Sequence, residues 1–393
     1  MKGPLHLAWR YLLHYRIKTA ILVASIALIA FLPAALNVLI GESAAQLTSR
    51  AEATPLLIGA RGSPLELVLS SLYFASNPPA STTFSEMDRA AASGLAEPIP
   101  LHVRFRARGH PIVGTTLEYF EFRALQLAAG RPMALIGECV LGARAAEHMG
   151  VGPGDAVISS PESVFDLAGV YPLKMRVAGV LAPSFGPDDH AVFVDVKTAW
   201  IIQGLGHGHQ DLAKPQASDA VLARDGNRIT ANASVVQYNE ITAENLGSFH
   251  FHDDLSRYPI TALIAVPRDQ KSGVILLGRY QGGDESAQIV RPIETLNELL
   301  ETVFTVRSYV IAAIGTVAVA TLATAALVFM LSLRLRRREI ETMVKIGGSR
   351  ASVAVVLVSE IVSVLVLGAS LAVMLTLLAR RFGSEAIRAF ILS

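Results

Sequence analysis

Arg334-Leu335-Arg336-Arg337-Arg338-Glu339-Ile340-Glu341-Thr342-Met343-Val344-Lys345-Ile346-Gly347-Gly348-Ser349-Arg350 lies between two long apolar runs, Val306 to Leu333 and Ser352 to Ala379. Each run is long enough to cross a bilayer with some tilt. The six basic residues between them cannot enter hydrocarbon, so the segment belongs at a membrane face, and the excess of arginine makes that face the cytoplasmic one. Ile340, Met343, Val344 and Ile346 fall mostly on one side of a helix of 3.6 residues per turn. Gly347 and Gly348 then stop that helix before the next run starts. A short amphipathic helix held between two spans suits the transfer of motion to a soluble partner better than it suits a catalytic centre.

Outward from this stretch, the N-terminal residues 1–18 carry Lys2, Arg10, Arg16 and Lys18 beside Trp9, Tyr11 and Tyr15, the pattern of an interfacial amphipathic helix. Thr19 to Ile40 is a third apolar span. A cleaved signal peptide is its rival, with Ser43-Ala44-Ala45 as the cleavage site, but the apolar region of a signal peptide is usually only about 7–15 residues. The expected topology has the N-terminus inside, the domain 41–291 outside, a stalk at 292–305, spans at 306–333 and 352–379, a cytoplasmic segment at 334–351, and a short outer tail at 380–393. As a helix, Pro292 to Thr305 would rise roughly 20 Å. Glu360 falls inside the last span, and two readings stand for it: it faces protein or water, or it lies near the cytoplasmic interface. Leu367-Gly368-Ala369-Ser370 offers small residues for close helix contact.

Hydrophobic residues make up 52% of the 393 and charged residues 17%, below the roughly 25% of soluble domains, which fits a membrane protein with a large water-exposed part. The net charge of +1 gives no reason to propose nucleic acid. Cys139 is the single cysteine, so the chain holds no CxxC site. It also has no G-x-x-x-x-G-K-[ST] phosphate cradle, so the chain is not expected to hydrolyse ATP itself. No G-x-S-x-G or other nucleophile motif is present around Ser184 or Ser286. Glu97, Glu118, Glu121 and Glu138 read as scattered carboxylates.

Within 41–291, Gly59-Ala60-Arg61-Gly62-Ser63-Pro64 reads as a turn and Leu65 to Tyr73 as a helix, with a proline-broken loop at Asn77 to Ser81. Strands are expected at Leu101–Arg108, Pro111–Thr116, Glu138–Gly142, Ala156–Ser159, Leu173–Leu181 and Ile260–Val266. Helices are expected at Ala143–Met149 and Ser272–Tyr280, with a strand running into a helix over Phe193–Trp200. Asp188-Asp189-His190 reads as a turn. Two His-x-His units stand out: His207-Gly208-His209 with Asp211 nearby, and His250-Phe251-His252 before Asp253 and Asp254. In extended chain, residues i and i+2 share a face, so each unit could present two imidazoles together. Two readings stand: a zinc or copper(II) site if the loops meet, or solvated histidines in polar loops.

The run Arg336-Arg337-Arg338-Glu339-Ile340, with Gly347, Ser349 and Arg350, resembles the R-R-R-E-I-G-x-L-x-A-L-G-A-S-R segment of the permease subunits of MacB/FtsX-like, or type VII, ABC transporters. It departs from them at Glu341, Lys345-Ile346 and Gly348. Gly130-Arg131, Val140-Leu141-Gly142, Gly150 to Asp155 and Val177-Ala178-Gly179-Val180 are similar, in that order, to the family's periplasmic core domain. Residues 201–290 match only loosely. The resemblance implies an α+β membrane protein with three transmembrane helices, its mixed α/β extracytoplasmic domain inserted between the first and second. It implies a non-catalytic subunit in a bacterial inner membrane. Its partners would be a cytoplasmic ABC ATPase dimer that binds ATP and magnesium, a second permease copy, lipid, and a periplasmic adaptor or lipoprotein. Arg338, Glu339, Ile340, Met343, Val344, Ile346, Gly347 and Arg350 would couple to the ATPase. The work done would be mechanotransmission, with ATPase closure reshaping the outer domain for export or extraction of an envelope substrate. Alternatives are an FtsX-like scaffold that regulates a periplasmic enzyme and a zinc-class metal-handling component. Related permeases usually carry a fourth span, and this chain shows three.

Overall fold

A computed structural model describes residues 2–75, 79–160, 172–210, 221–225, 228–231, 238–282, 285–345, 347 and 349–391. The chain divides into two compact units, one of 1–49 with 297–393 and one of 50–296.

The first unit is helical. Its elements are α1 (Lys2–His14), α2 (Arg16–Glu52) and, after the second unit's helices α3 to α8, α9 (Pro292–Leu335), α10 (Arg337–Lys345) and α11 (Arg350–Ile391). α2, α9 and residues 351–382 of α11 are long and apolar enough to cross a membrane. Large apolar side chains such as Ile17, Val317, Val319, Leu327 and Val366 lie outward along them, as lipid contact requires. Leu12, Leu22 and Val364 are buried together against Val23, Ile26, Ala325 and Phe329. Gly368 lies against Ile26, so the small-residue stretch does make a helix contact. Glu360 is buried and accepts a hydrogen bond from Arg336 Nη1 at 3.1 Å, and the Arg336 guanidinium sits 3.5 Å over the Tyr11 ring. Of the two readings for Glu360, it faces protein. The tail expected as a separate short segment at 380–393 is instead part of α11, which continues to Ile391. Nothing between Ala379 and Ile391 is a proline, so the helical hydrogen bonding has no cause to break there.

The second unit is a mixed α/β domain. In chain order it contains β1 (Leu56–Ala60), α3 (Pro64–Tyr73), β2 (Thr82–Thr83), α4 (Ser85–Ala92), β3 (Ala96–Ala107), β4 (His110–Thr115), α5 (Leu117–Phe122), β5 (Leu127–Gly130), β6 (Glu138–Leu141) and α6 (Ala143–Met149). Then follow β7 (Ala156–Ile158), β8 (Lys174–Leu181), β9 (Val192–Asp195), α7 (Val196–Ile202), β10 (Gly206–Gly208), β11 (Val221–Asp225), β12 (Arg228–Ala231), β13 (Phe249–Phe251), β14 (Pro259–Ile260), β15 (Ala262–Pro267), α8 (Gln270–Arg279) and β16 (Ala287–Val290). Among the described residues, ten strands make one sheet in the order β16-β1-β15-β3-β4-β9-β6-β8-β5, with β7 paired to β8. β4 pairs with β9, and β6 with β8, in parallel; the other pairs are antiparallel.

The sheet is buried on both faces, because successive side chains alternate. Phe193 joins Leu57, Leu101, Val113 and Val140 on one side. Its neighbours Val192 and Val194 join Ile112, Cys139 and Leu141 on the other. Burial on both faces removes the apolar–polar alternation from short strands, and β1 escapes the sequence reading for that reason; β5 and β16 are four residues each, too short to show a period. Gly59 and Ala60, expected in a turn, end β1. β15 lies between β1 and β3, so a strand from late in the chain is inserted into the interior of the sheet.

Candidate metal centre and coupling segment

The coupling segment begins where α9 ends, at Leu335. α10 starts at Arg337 and stops at Lys345. Gly347 takes φ +98°, a left-handed conformation that glycine adopts without penalty, and this ends the helix. The sequence places the stop at Gly347 and Gly348, and the helix ends just before them, at Lys345. α11 starts at Arg350, and Ser349 Oγ accepts from the Ser352 backbone N–H at 3.1 Å to cap it. Ile340 and Met343 are half-buried, while Val344, Arg338 and Glu341 are exposed. Arg337 Nε pairs with Glu341 Oε1 at 3.2 Å, one turn on. Ile346 and Gly348 lie outside the described residues, as do the side chains of Glu339 and Arg350. The apolar edge of this highly charged helix is thus half-exposed.

A second polar centre had no counterpart in the sequence reading. Arg50 donates to Asp188 through both terminal nitrogens, at 2.5 and 2.9 Å, and to the Tyr119 hydroxyl at 2.7 Å. The Tyr119 hydroxyl donates in turn to Asp188 at 2.8 Å. Burial pushes the Asp188 carboxyl up, but the Arg50 charge and the hydrogen bonds from Arg50 and Tyr119 outweigh it and hold the carboxyl below its ordinary value. The Asp188-Asp189-His190 turn exists, as a 3-10 turn over Pro187–His190. Its acidic pair is structural, since Asp189 accepts from the backbone N–H groups of Ser184 and Phe185. Glu138, read as a chance carboxylate, is buried and paired with Arg131. Arg50 lies 138 residues from Asp188, so that pairing left no local pattern. Arg131 and Glu138, seven residues apart, face each other across the loop from β5 to β6, where no helix or strand period relates them.

The histidine units meet. β10 and β13 pair antiparallel in the register Gly206↔Phe251, His207↔His250, Gly208↔Phe249. Directly opposed residues share a face of such a ribbon, and so do residues two apart. His207, His209, His250 and His252 therefore stand on one face, and Phe249 and Phe251 on the other, where they pack against the core. Glycine opposite each ring makes room. A Cβ on Gly206 would fall 2.5 Å from the Phe251 ring, and one on Gly208 would fall 2.6 Å from the Phe249 ring. One ligand atom from each of His207, His209 and His250 lies within 4.8 Å of the other two. His252 Nε2 is 3.5 Å from His207 Nε2. The Nδ1–H of His209 donates to the Gln210 carbonyl at 2.9 Å and that of His250 to the Ser248 carbonyl at 3.0 Å. Burial, then the nearby imidazoles, lowers the pKa of His207 and favours its neutral ring. Asp211, expected beside the first unit, lies outside the described residues.

The family model of the MacB-like periplasmic core domain matches residues 22–238. The chain belongs to this family. It is a MacB/FtsX-like permease, a membrane protein with an extracytoplasmic domain. Among solved structures, the periplasmic region of MacB from Actinobacillus actinomycetemcomitans is 13% identical with a TM-score of 0.34, covering 67% of this chain and 97% of that one. The extracellular domain of the noncanonic ABC-type transporter YknZ from Gram-positive bacteria is 12% identical with a TM-score of 0.32, covering 60% and 99%. No curated protein matches. The MacB-like match takes in His207 and His209 and ends before His250 and His252, the strand partner that completes the cluster.

Proposed function

We propose that this MacB-like permease couples ATP hydrolysis by a separate cytoplasmic ATPase to shape changes of its outer domain. It would lie in a bacterial inner membrane with α10 in the cytoplasm. The observation that carries the reading is α10 itself: a separate nine-residue helix with an apolar edge, between two helices each long enough to span. One chain offers one such helix, and ABC ATPases act as dimers, so two copies would work together. Movement of α10 would pass to α9 and α11, which are continuous helices of 44 and 42 residues. The buried Arg336–Glu360 pair joins the start of α10 to α11, so a push on the short helix would be carried along the long one. The cargo would be an envelope substrate, or an adaptor that handles one.

Met343→Asp tests this. Burying a methionine side chain contributes about 1.5–3 kcal/mol, and an unpaired carboxylate in the contact costs several kcal/mol more. The variant should insert and fold normally yet lose the co-purifying ATPase and its activity in cells. A Met343→Asp protein that retains its ATPase at the wild-type level would overturn the assignment.

A further inference from the structure

We propose that the β10–β13 ribbon is a zinc-class binding site, with His207, His209 and His250 as its inner ligands and His252 as the fourth. The inference is independent of the permease reading, since it rests on the ribbon alone. Alternation does the placing. Phe249-His250-Phe251-His252 turns its phenyl rings inward and its imidazoles outward, and Gly206-His207-Gly208-His209 mirrors it across the register. The glycines serve the phenyl face, so the histidine face has no packing role to explain it.

The chemistry of the four rings then narrows the ligand. The Nδ1–H groups of His209 and His250 are taken up by backbone carbonyls. That fixes the tautomer with an open lone pair on Nε2, and it is the usual support for a metal-bound histidine. Two nitrogens each about 2.05 Å from a tetrahedral zinc lie roughly 3.4 Å apart, and His207 Nε2 and His252 Nε2 are 3.5 Å apart. That distance is long for an N–H···N hydrogen bond, so the pair gains little from each other without an ion between them. Imidazole nitrogens alone suit zinc, copper(II) or nickel(II), whereas magnesium and calcium require oxygen donors. The ion would also have a structural effect. Strands of three residues hold each other weakly, and a metal bridging His207 to His250 closes the whole chain segment between them.

The test uses the full chain in detergent, purified through a tag without histidine and stripped with a chelator. Zinc titrated by calorimetry should bind at one ion per chain. Cobalt(II) in its place should give the intense visible bands of tetrahedral nitrogen coordination. The His207→Ala/His209→Ala/His250→Ala/His252→Ala variant should bind zinc about 100-fold more weakly or less, and lose those bands. His252→Ala alone should keep one cobalt ion with an altered spectrum. Should the fourfold variant fold poorly, copper(II) bound to wild type decides the matter, because its electron-spin-echo spectrum must show the remote nitrogens of several imidazoles. Equal zinc binding by wild type and variant, or a wild-type copper spectrum without imidazole nitrogens, overturns the site.

Discussion

The domain holds two polar clusters of similar size and opposite design. Around Asp188 the charges are paired: Arg50 forks onto the carboxylate through both terminal nitrogens and Tyr119 closes the triangle, all out of water. On the β10–β13 ribbon, the Nδ1 groups of His209 and His250 are satisfied by carbonyls, while the rings of His207, His209 and His250 converge half-exposed with no carboxylate in the group among the described residues. A buried charge without a partner costs folding energy, so a cluster inside has to pair its charges. A cluster at the surface can be left open because water covers the cost, and its open valences are then free for a ligand. Satisfaction thus separates the cluster that holds the fold from the one that can bind.

Breaking the first cluster should have the largest effect. Arg50→Ala leaves the Asp188 carboxylate buried without its counter-charge and should cost about 3–5 kcal/mol of domain stability. Denaturant unfolding followed through the buried Trp200 measures it, and a loss below 1 kcal/mol would mean that the cluster is not structural.

His102 provides a histidine of the buried kind for comparison. Burial lowers its pKa to about 4 from the ordinary 6.5, and its Nε2 lies 3.0 Å from Gln203 Oε1. The unfolded chain then takes up a proton near pH 6.5 that the folded one refuses until about pH 4. Above pH 6.5 this group costs nothing. As the pH falls from 6.5 to 4, stability should drop by an amount on the order of 3 kcal/mol. His102→Gln removes the titration, so its unfolding profile over that interval should be flatter than that of wild type; parallel profiles would contradict the assignment.

The smallest effect sharpens the contrast on the ribbon side. Gly208→Ala sets a methyl group 2.6 Å from the Phe249 ring and should cost about 1–2 kcal/mol by overpacking. It should also weaken cobalt(II) binding, although no ligand is touched, because the register of His207 on His250 depends on that ring. Unchanged binding would show that the strands need not pair for the histidines to meet.

The apolar runs, the basic hinge, the amphipathic stripe and the glycine stop were legible in the sequence, because each is a local pattern with a local cause. So were α6, β8 and most of α3, whose caps and periods lie within a few residues. The two His-x-His units were visible as units, since alternation alone puts each pair on one face. Tertiary structure decided what distance along the chain conceals. β15 enters the sheet between β1 and β3 from beyond residue 260, and Arg50 finds Asp188 across 138 residues. The register sets His207 opposite His250, and a slip of one residue would have turned one pair of imidazoles inward. Periodicity is a property of neighbours and can be read from order alone. Pairing depends on which surfaces fit together once the sheet has closed, and only the folded chain contains that.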